Sequence, residues 1–334
     1  MSASPSVSAP VSDTRRNLLQ EGRRRLADQP NYALVSILVI LFLVLAIISP
    51  GYRSLHSVSS TVQVAAILGV MAGGQTLVLL TAGVDLSVAS VATAAAYVMA
   101  QNDIHGVLIA VLIGLGVGLA AGLVNGIGVG VFGVQPLIMT LGVGGIASGM
   151  LLVYSSIEKS GAPIVPGPVY QLGTGTVLQY FPLDVLLVWL PLSLILVLGL
   201  RYTGLGRAII AVGDNPIACR LSGVRTWQVL LATYLISGLL SATGGMILAG
   251  YENAVDLQLA SSYLLLTVAA AVIGGTSVFG GSGGYAGTIF GALILTVLDA
   301  LLTVVNASEE YRQMLYGALI LLLAWAYARL AGST

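Results

Sequence analysis

Asp85 and Ser87 stand two residues apart in the stretch Thr81-Ala-Gly-Val-Asp-Leu-Ser-Val-Ala-Ser90, between two apolar runs that leave no room for a long loop. A carboxylate at membrane depth is costly unless it is hydrogen-bonded, and three kinds of chemistry are open to it there. It can accept backbone N–H groups as the cap of a helix that restarts after the flexible Gly83. It can contact a substrate directly, or it can carry a proton. The cap reading predicts a helix broken inside the membrane, which survives only where its backbone is buried in protein or faces an aqueous cavity. Asn125, inside a later apolar run, also needs a polar partner, either along a path or on a neighbouring helix.

The glycine-rich stretch Gly274-Gly-Thr-Ser-Val-Phe-Gly-Gly-Ser-Gly-Gly-Tyr-Ala-Gly287 has the look of a phosphate-cradling loop. Such loops need a lysine beside their last glycine, and the only lysine of the chain, Lys159, lies elsewhere with no such glycines around it. Nucleotide binding by that mechanism is excluded, and a tight hairpin between two spans is expected instead. No catalytic set and no metal site is expected in the chain. The single cysteine, Cys219, rules out an internal disulfide.

Arg201, Arg207, Arg220 and Arg225 punctuate the segment RYTGLGRAIIAVGDNPIACRLSGVR, which holds no apolar run long enough to cross a bilayer. From Gly213 to Gly223 it has the grammar of a short helix: Asn215 or Asp214 as cap, Pro216 at the first helical position, and Gly223 as the stop after Ser222. Such a helix presents Ile217, Arg220 and Leu221 and suits docking into a groove on a soluble partner. The alternative is an amphipathic helix resting on lipid headgroups. Arg207 and the glycines before it anchor the segment against the preceding span.

The elements that position these residues follow from composition. With 57% hydrophobic and 8% charged residues among 334, the chain is no water-soluble domain but an all-α polytopic membrane protein. About ten runs approach the roughly 20 residues that a helix needs to cross a bilayer. They lie near Ala33 to Ile48, Val62 to Leu80, Leu86 to Met99, Val107 to Val131, Leu137 to Tyr154, Val185 to Leu200, Val229 to Ala249, Tyr263 to Val278, Ala286 to Val305 and Met314 to Leu330. Residues 1–30 are expected to be a disordered cytoplasmic tail without a signal peptide, and residues 31–334 one membrane domain, with 201–227 as a cytoplasmic loop.

Arg15, Arg16, Arg23, Arg24 and Arg25 precede the first span and place the N-terminus in the cytoplasm. Threading the spans from there puts the Arg201 to Arg225 segment and Arg329 inside, with Arg53, Lys159 and Arg312 outside. Asp103, Glu158, Asp184, Glu252, Asp256, Glu309 and Glu310 all fall outside as well. Both termini are then cytoplasmic. In the fourth span Gly114, Gly118, Gly122, Gly126 and Gly130 recur every four residues, a face for close helix packing. Val131-Phe-Gly133 is echoed by Val278-Phe-Gly280, which hints at two pseudo-repeated halves.

Several motifs taken together, in order, resemble the permease subunits of bacterial ribose-type sugar importers of the ATP-binding cassette superfamily. They are Gly83-Val-Asp-Leu-Ser87, the run Thr203-Gly-Leu-Gly-Arg-Ala-Ile-Ile-Ala-Val-Gly-Asp-Asn215 with Ala218, Arg220 and Ser222-Gly223, and Gly274-Gly-Thr-Ser277 with Gly280-Gly281. The resemblance covers nearly the whole chain after the tail and implies a ten-helix importer fold in the bacterial cytoplasmic membrane, surrounded by lipid. It implies that the Arg201 to Arg225 segment is the coupling element, with Arg207, Gly213, Asp214, Asn215, Pro216, Arg220, Ser222 and Gly223 facing a separate ATPase. ATP and magnesium would be held by that ATPase, and no cofactor by this chain. It further implies an extracytoplasmic sugar-binding protein and a second permease, identical or paralogous, and no nucleic acid. Asp85, Ser87, Asn125, Gln135 and Thr140 are candidates for the substrate path, because amides, hydroxyls and a carboxylate exchange hydrogen bonds with sugar hydroxyls. Ala89 and Asp299 depart from the family, which commonly has glycine and asparagine there. An ion-coupled secondary transporter built on Asp85 is the alternative reading.

Overall fold

The computed structural model describes residues 30–157 and 163–331. The expected disorder of the tail and its arginines, Glu158, Lys159 and the side chain of Arg329 all lie outside the described residues.

A helix occupies every predicted run. The first five are α1 (Pro30–Ile48), α2 (Leu55–Leu80), α3 (Val88–Gln101), α4 (Val107–Gly130) and α5 (Pro136–Ile157). A short α6 (Gly167–Thr174) and a two-stranded antiparallel ribbon, β1 (Thr176–Val177) with β2 (Phe181–Pro182), precede a π-helical turn, Val185–Trp189, that runs into α7 (Leu190–Tyr202). The polar segment forms α8 (Gly204–Asp214) and α9 (Pro216–Leu221). The remaining helices are α10 (Thr226–Glu252), α11 (Tyr263–Ile273), α12 (Tyr285–Val304) and α13 (Glu309–Ala331).

Among the described residues, six helical spans are long and apolar enough to cross a membrane: α2, α4, α5, Val185–Tyr202, α10 and α12. Two of the shorter apolar helices, α3 and α11, adjoin irregular backbone. The span expected over Tyr263 to Val278 stops early, at Ile273, because Gly274 ends the helix and Gly275 turns into the left-handed region at φ 90°. Conversely, α2 starts a full seven residues before the expected Val62, at Leu55, where Ser54 caps it by accepting Ser57 N–H at 3.2 Å. Its first turns carry His56, Ser57, Ser59, Ser60 and Thr61, which hydropathy alone assigns to a loop.

The bundle is built around α2 and α10. α2 is buried nearly all round, packed by α10, α12 and α11, and α10 also lies against α4, α3 and α6. The glycine face of α4 is the closest of these contacts. A Cβ on Gly118 would lie 2.4 Å from Gly238 O, and one on Gly122 would lie 2.4 Å from Tyr234 O, so the two backbones touch. Gly114, Gly126 and Gly130 meet Met246, Leu231 and Trp227 in the same antiparallel register. With little hydrophobic drive between helices in lipid, this intimate dispersion contact is what holds the pair together. Across the core, Tyr285 hydroxyl donates to Gly69 O at 2.8 Å and accepts Trp189 Nε1–H at 3.0 Å, tying α12, α2 and the π-turn.

The connections sort by end. Leu80 and Gly213, at the C-terminal ends of α2 and α8, and Gly281, from the α11–α12 connection, meet at one end, where Gly130 also approaches Trp227. Tyr52, Tyr251 and Thr303, from three other connections or helix ends, line one cavity at the opposite end.

Candidate functional site

The helix break at Asp85 is real, and its cap geometry explains it. Gly83 N–H bonds Val78 O at 3.1 Å and Ala82 N–H bonds Leu79 O at 2.9 Å, the paired closure that ends a helix. Ala82 occupies the left-handed position at φ 60°, where glycine is usual. Asp85 then accepts Ser87 N–H at 2.9 Å and Ser87 hydroxyl at 2.6 Å through Oδ1, while Oδ2 accepts Ser237 hydroxyl of α10 at 2.7 Å. Ser87 is itself the residue flanking α3 and accepts no backbone N–H with its hydroxyl; it accepts Asn125 Nδ2–H of α4 at 2.9 Å. Thr140 of α5 accepts Leu86 N–H at 3.0 Å and faces Val84 O at 3.1 Å. Asp85 is 2% exposed, so its charge is met by hydrogen bonds from neighbouring helices and not by solvent.

Of the five residues put forward for the substrate path, four therefore belong to one buried network joining α3, α4, α5 and α10. Gln135 is apart, exposed at the head of α5, where its carbonyl accepts Ile138 and Met139 N–H. Tyr234, fully buried, sits over the break: a Cβ on Gly83 would lie 2.9 Å from its hydroxyl.

Three motifs singled out by their residues come together just beyond this break. Gly281 N–H donates to Leu80 O at 3.0 Å, at the end of α2. Gly213, the penultimate residue of α8, is buried against the same carbonyl, and Gly280, in the left-handed region at φ 86°, lies against Ala82 and Gly213 O. The junction is backbone against backbone, and this is why glycines occupy it.

The polar segment leads straight out from that junction. α8 was not legible as a helix because Gly204 and Gly206 read as turn residues, yet Leu205, Ile209 and Val212 follow helical spacing and the last two are buried. Thr203 caps α8 by accepting Gly206 N–H at 3.0 Å, and Gly206 packs against the Leu200 backbone. Asn215, rather than Asp214, caps α9, accepting Ile217 and Ala218 N–H at 3.1 and 2.9 Å, with Pro216 at the first position. Gly223 stops it at φ 83°, with Gly223 and Val224 N–H bonding Arg220 O and Cys219 O. Arg207, Asp214, Arg220 and Ser222 are exposed, as are Ile217 and Leu221.

At the other end Asp184 is buried at 1% exposure before the π-turn, without a side-chain hydrogen bond. Burial pushes its carboxyl from 3.8 up to about 7. A folded-state value above the unfolded one means that the protonated form stabilises the fold. That contribution is complete below pH 3.8 and is lost as pH rises through about 7. The thermal midpoint of the detergent-purified chain is expected to fall between about pH 4 and pH 7 through this group. Asp184→Asn should flatten that fall and raise the midpoint at pH 8; an unchanged slope would remove Asp184 as its cause. Among the described residues, no three His, Cys, Asp or Glu groups gather closely enough to hold a metal ion.

A bundle of apolar helices with a broken helix held by a buried carboxylate, and with exposed amphipathic helices at the same end, defines a polytopic membrane protein. The chain belongs to the family of branched-chain amino acid transport system permease components, whose model matches residues 57–324. It is 31% identical over 320 residues to a fructose import permease of Rhizobium meliloti, covering 92% of this chain and 88% of that one. It is 33% identical over 295 residues to a ribose import permease of Bacillus subtilis, covering 85% and 88%. It is 32% identical over 296 residues to an autoinducer 2 import system permease of Yersinia pseudotuberculosis, covering 86% and 82%. No solved structure matches the chain.

Proposed function

We propose that this chain is the membrane path of an ATP-driven importer for a monosaccharide or related polyol in the cytoplasmic membrane, with both termini inside. The observation that carries it is the likeness, over most of the chain, to permeases of ribose, fructose and autoinducer 2 import. A separate ATPase docks on α9 and binds ATP and magnesium, and a binding protein delivers substrate at the far end. A second permease, identical or paralogous, completes the membrane part. The docking of α9 is supported by its exposed Ile217, Arg220 and Leu221, and by Gly213, which joins that segment to the end of α2. ATP-driven movement of the ATPase pair then shifts the α8–α9 segment, and the junction carries that shift to the break at Asp85. Asp85, Ser87, Asn125 and Thr140 hold the break in shape, and Gln135 stands at the inner mouth of the path.

The test is purification of the tagged chain from its native membrane in mild detergent. An ATPase is expected to co-purify, and its turnover in proteoliposomes should rise with the cognate binding protein loaded from a panel of ribose, fructose, xylose, ribitol and inositol. Leu221→Asp with Arg220→Glu should leave the chain inserted and monodisperse while the ATPase is lost. Recovery of the wild-type chain alone, with sugar uptake that follows a proton gradient, would replace this reading with the ion-coupled one.

A further inference from the structure

Two adjoining cavities of about 260 and 170 Å³ lie at the end of the bundle away from the junction. Both are lined by Val64, Thr296 and Asp299, so they lie side by side as two lobes on either side of these residues. Val64 precedes Leu80 by 16 residues on α2, which sets the hollow about 24 Å from the junction at 1.5 Å per residue. Its polarity separates it from two larger apolar hollows, one of about 430 Å³ between α3, α4 and α5 and one of about 380 Å³ between α1, α2 and α12.

The chemistry inside is specific. Asp299 Oδ1 accepts Tyr316 hydroxyl at 2.7 Å and Arg312 Nη1–H at 3.1 Å, which fixes the carboxylate in one orientation. Its Oδ2 makes no hydrogen bond among the described residues, and the side chain is 40% exposed. A carboxylate oxygen so held accepts hydroxyl protons, in charge-assisted bonds stronger than neutral ones. Tyr52 in one lobe and Tyr263 in the other are aromatic residues whose rings offer flat, apolar faces of the kind that C–H groups of a sugar ring pack on. Ser60 and Thr303 add hydroxyls that donate and accept. Counted together, Asp299 and Glu309 against Arg312 leave the lining with an excess negative charge, which repels a phosphate or carboxylate.

We infer that this hollow is a binding subsite for a neutral, unphosphorylated polyhydroxylated ligand, with Asp299 Oδ2 as its principal acceptor and Arg312 and Tyr316 as the residues that position it. The inference rests on the importer reading above and gives it a location: the entry station of the membrane path, on the face where a binding protein releases its cargo. Asp299 then has a role in binding in addition to its bonds within the bundle.

The experiment uses the complete transporter in proteoliposomes, with the binding protein saturated with each sugar of the panel. Asp299→Asn keeps the size and an acceptor for Tyr316 but weakens the acceptor offered to the ligand. Its maximal import rate is expected to fall about tenfold, as for loss of one charge-assisted hydrogen bond. The loaded binding-protein concentration for half-maximal rate should stay constant, and the ratio of rates between two sugars should change. Ser60→Leu is the control for folding, because Ser60 bonds only its own helix, at His56 O, and does not touch the ion pair. It should lower the rate comparably by filling the lobe, with normal chain abundance and ATPase recovery. If the wild type imports a sugar and both variants match it in rate and selectivity, the subsite is wrong and the importer reading stands. If the wild type imports no sugar of the panel and none stimulates its ATPase, the importer reading falls and the subsite with it.

Discussion

Gly213→Ala is expected to remove nearly all import and most of the folded chain. A single methyl at this position would lie 1.8 Å from Leu80 O and 2.7 Å from Gly281 N, closer than real contacts come. Both neighbours are backbone, so no side chain can swing aside. Moving Leu80 O also breaks its bond from Gly281 N–H at 3.0 Å, and Gly281 is held by its own left-handed φ of 71°. Overpacking of a rigid site costs about 1–3 kcal/mol and more where nothing can yield. Fluorescence-detected size exclusion of a tagged chain should show a collapsed monodisperse peak. The burial of Gly213 revises what its neighbourhood in sequence implies. Read as part of a docking helix, Gly213 predicts variants that insert normally and fail only to couple. Placed at the junction, it predicts damage to the bundle, and the insert-but-uncoupled behaviour moves to Arg220 and Leu221. A Gly213→Ala chain that is monodisperse and imports normally would refute the junction.

Asp85→Ala should be nearly as severe. It leaves Ser87 N–H, Ser87 hydroxyl and Ser237 hydroxyl without their acceptor at a buried site. Each buried group left unpaired costs about 1–3 kcal/mol, so the start of α3 should lose its fixed position against α10 and α4. Asp85→Asn keeps the volume and an acceptor for Ser87 N–H, and it is expected to retain reduced, ATP-dependent uptake with an unaltered pH profile. Uptake by membrane vesicles at several pH values, with expression matched by immunoblot, measures both variants. An Asn variant that loses a pH dependence present in the wild type would bring proton carriage by Asp85 back.

What could be read ahead of the structure was whatever is written locally. The apolar runs carried the helices, since a run of this length has few other fates in lipid. The α9 caps were legible because Asn215, Pro216 and Gly223 each act within a few residues of themselves. The first turns of α2 escaped because serines and threonines lower hydropathy, although on a helix their hydroxyls bond their own carbonyls, as Thr61 does to Ser57 O at 2.8 Å. The hollow around Asp299 escaped with them, since Ser57, Ser60 and Thr61 of those same turns line one of its lobes. The junction was out of reach for a different reason: Leu80, Gly213 and Gly281 are far apart in the chain, and a glycine reports that something comes close without saying what. Asp184 looked like any acid at the end of a span, and only the packing around it reveals that it is enclosed.

The seam between α4 and α10 bears on how the bundle can deform at all. Two rods joined along their length without side chains between them flex as one thicker beam, because bending either alone would require their surfaces to slip past each other. Gly118 against Gly238 and Gly122 against Tyr234 leave no layer in which such slip can occur. Stiffness of this kind confines shape change to the irregular backbone between the helices, around Gly83 and around Gly275 and Gly280. Any rearrangement of the bundle is then expected to tilt a stiff α4–α10 frame about those two glycine-bearing joints.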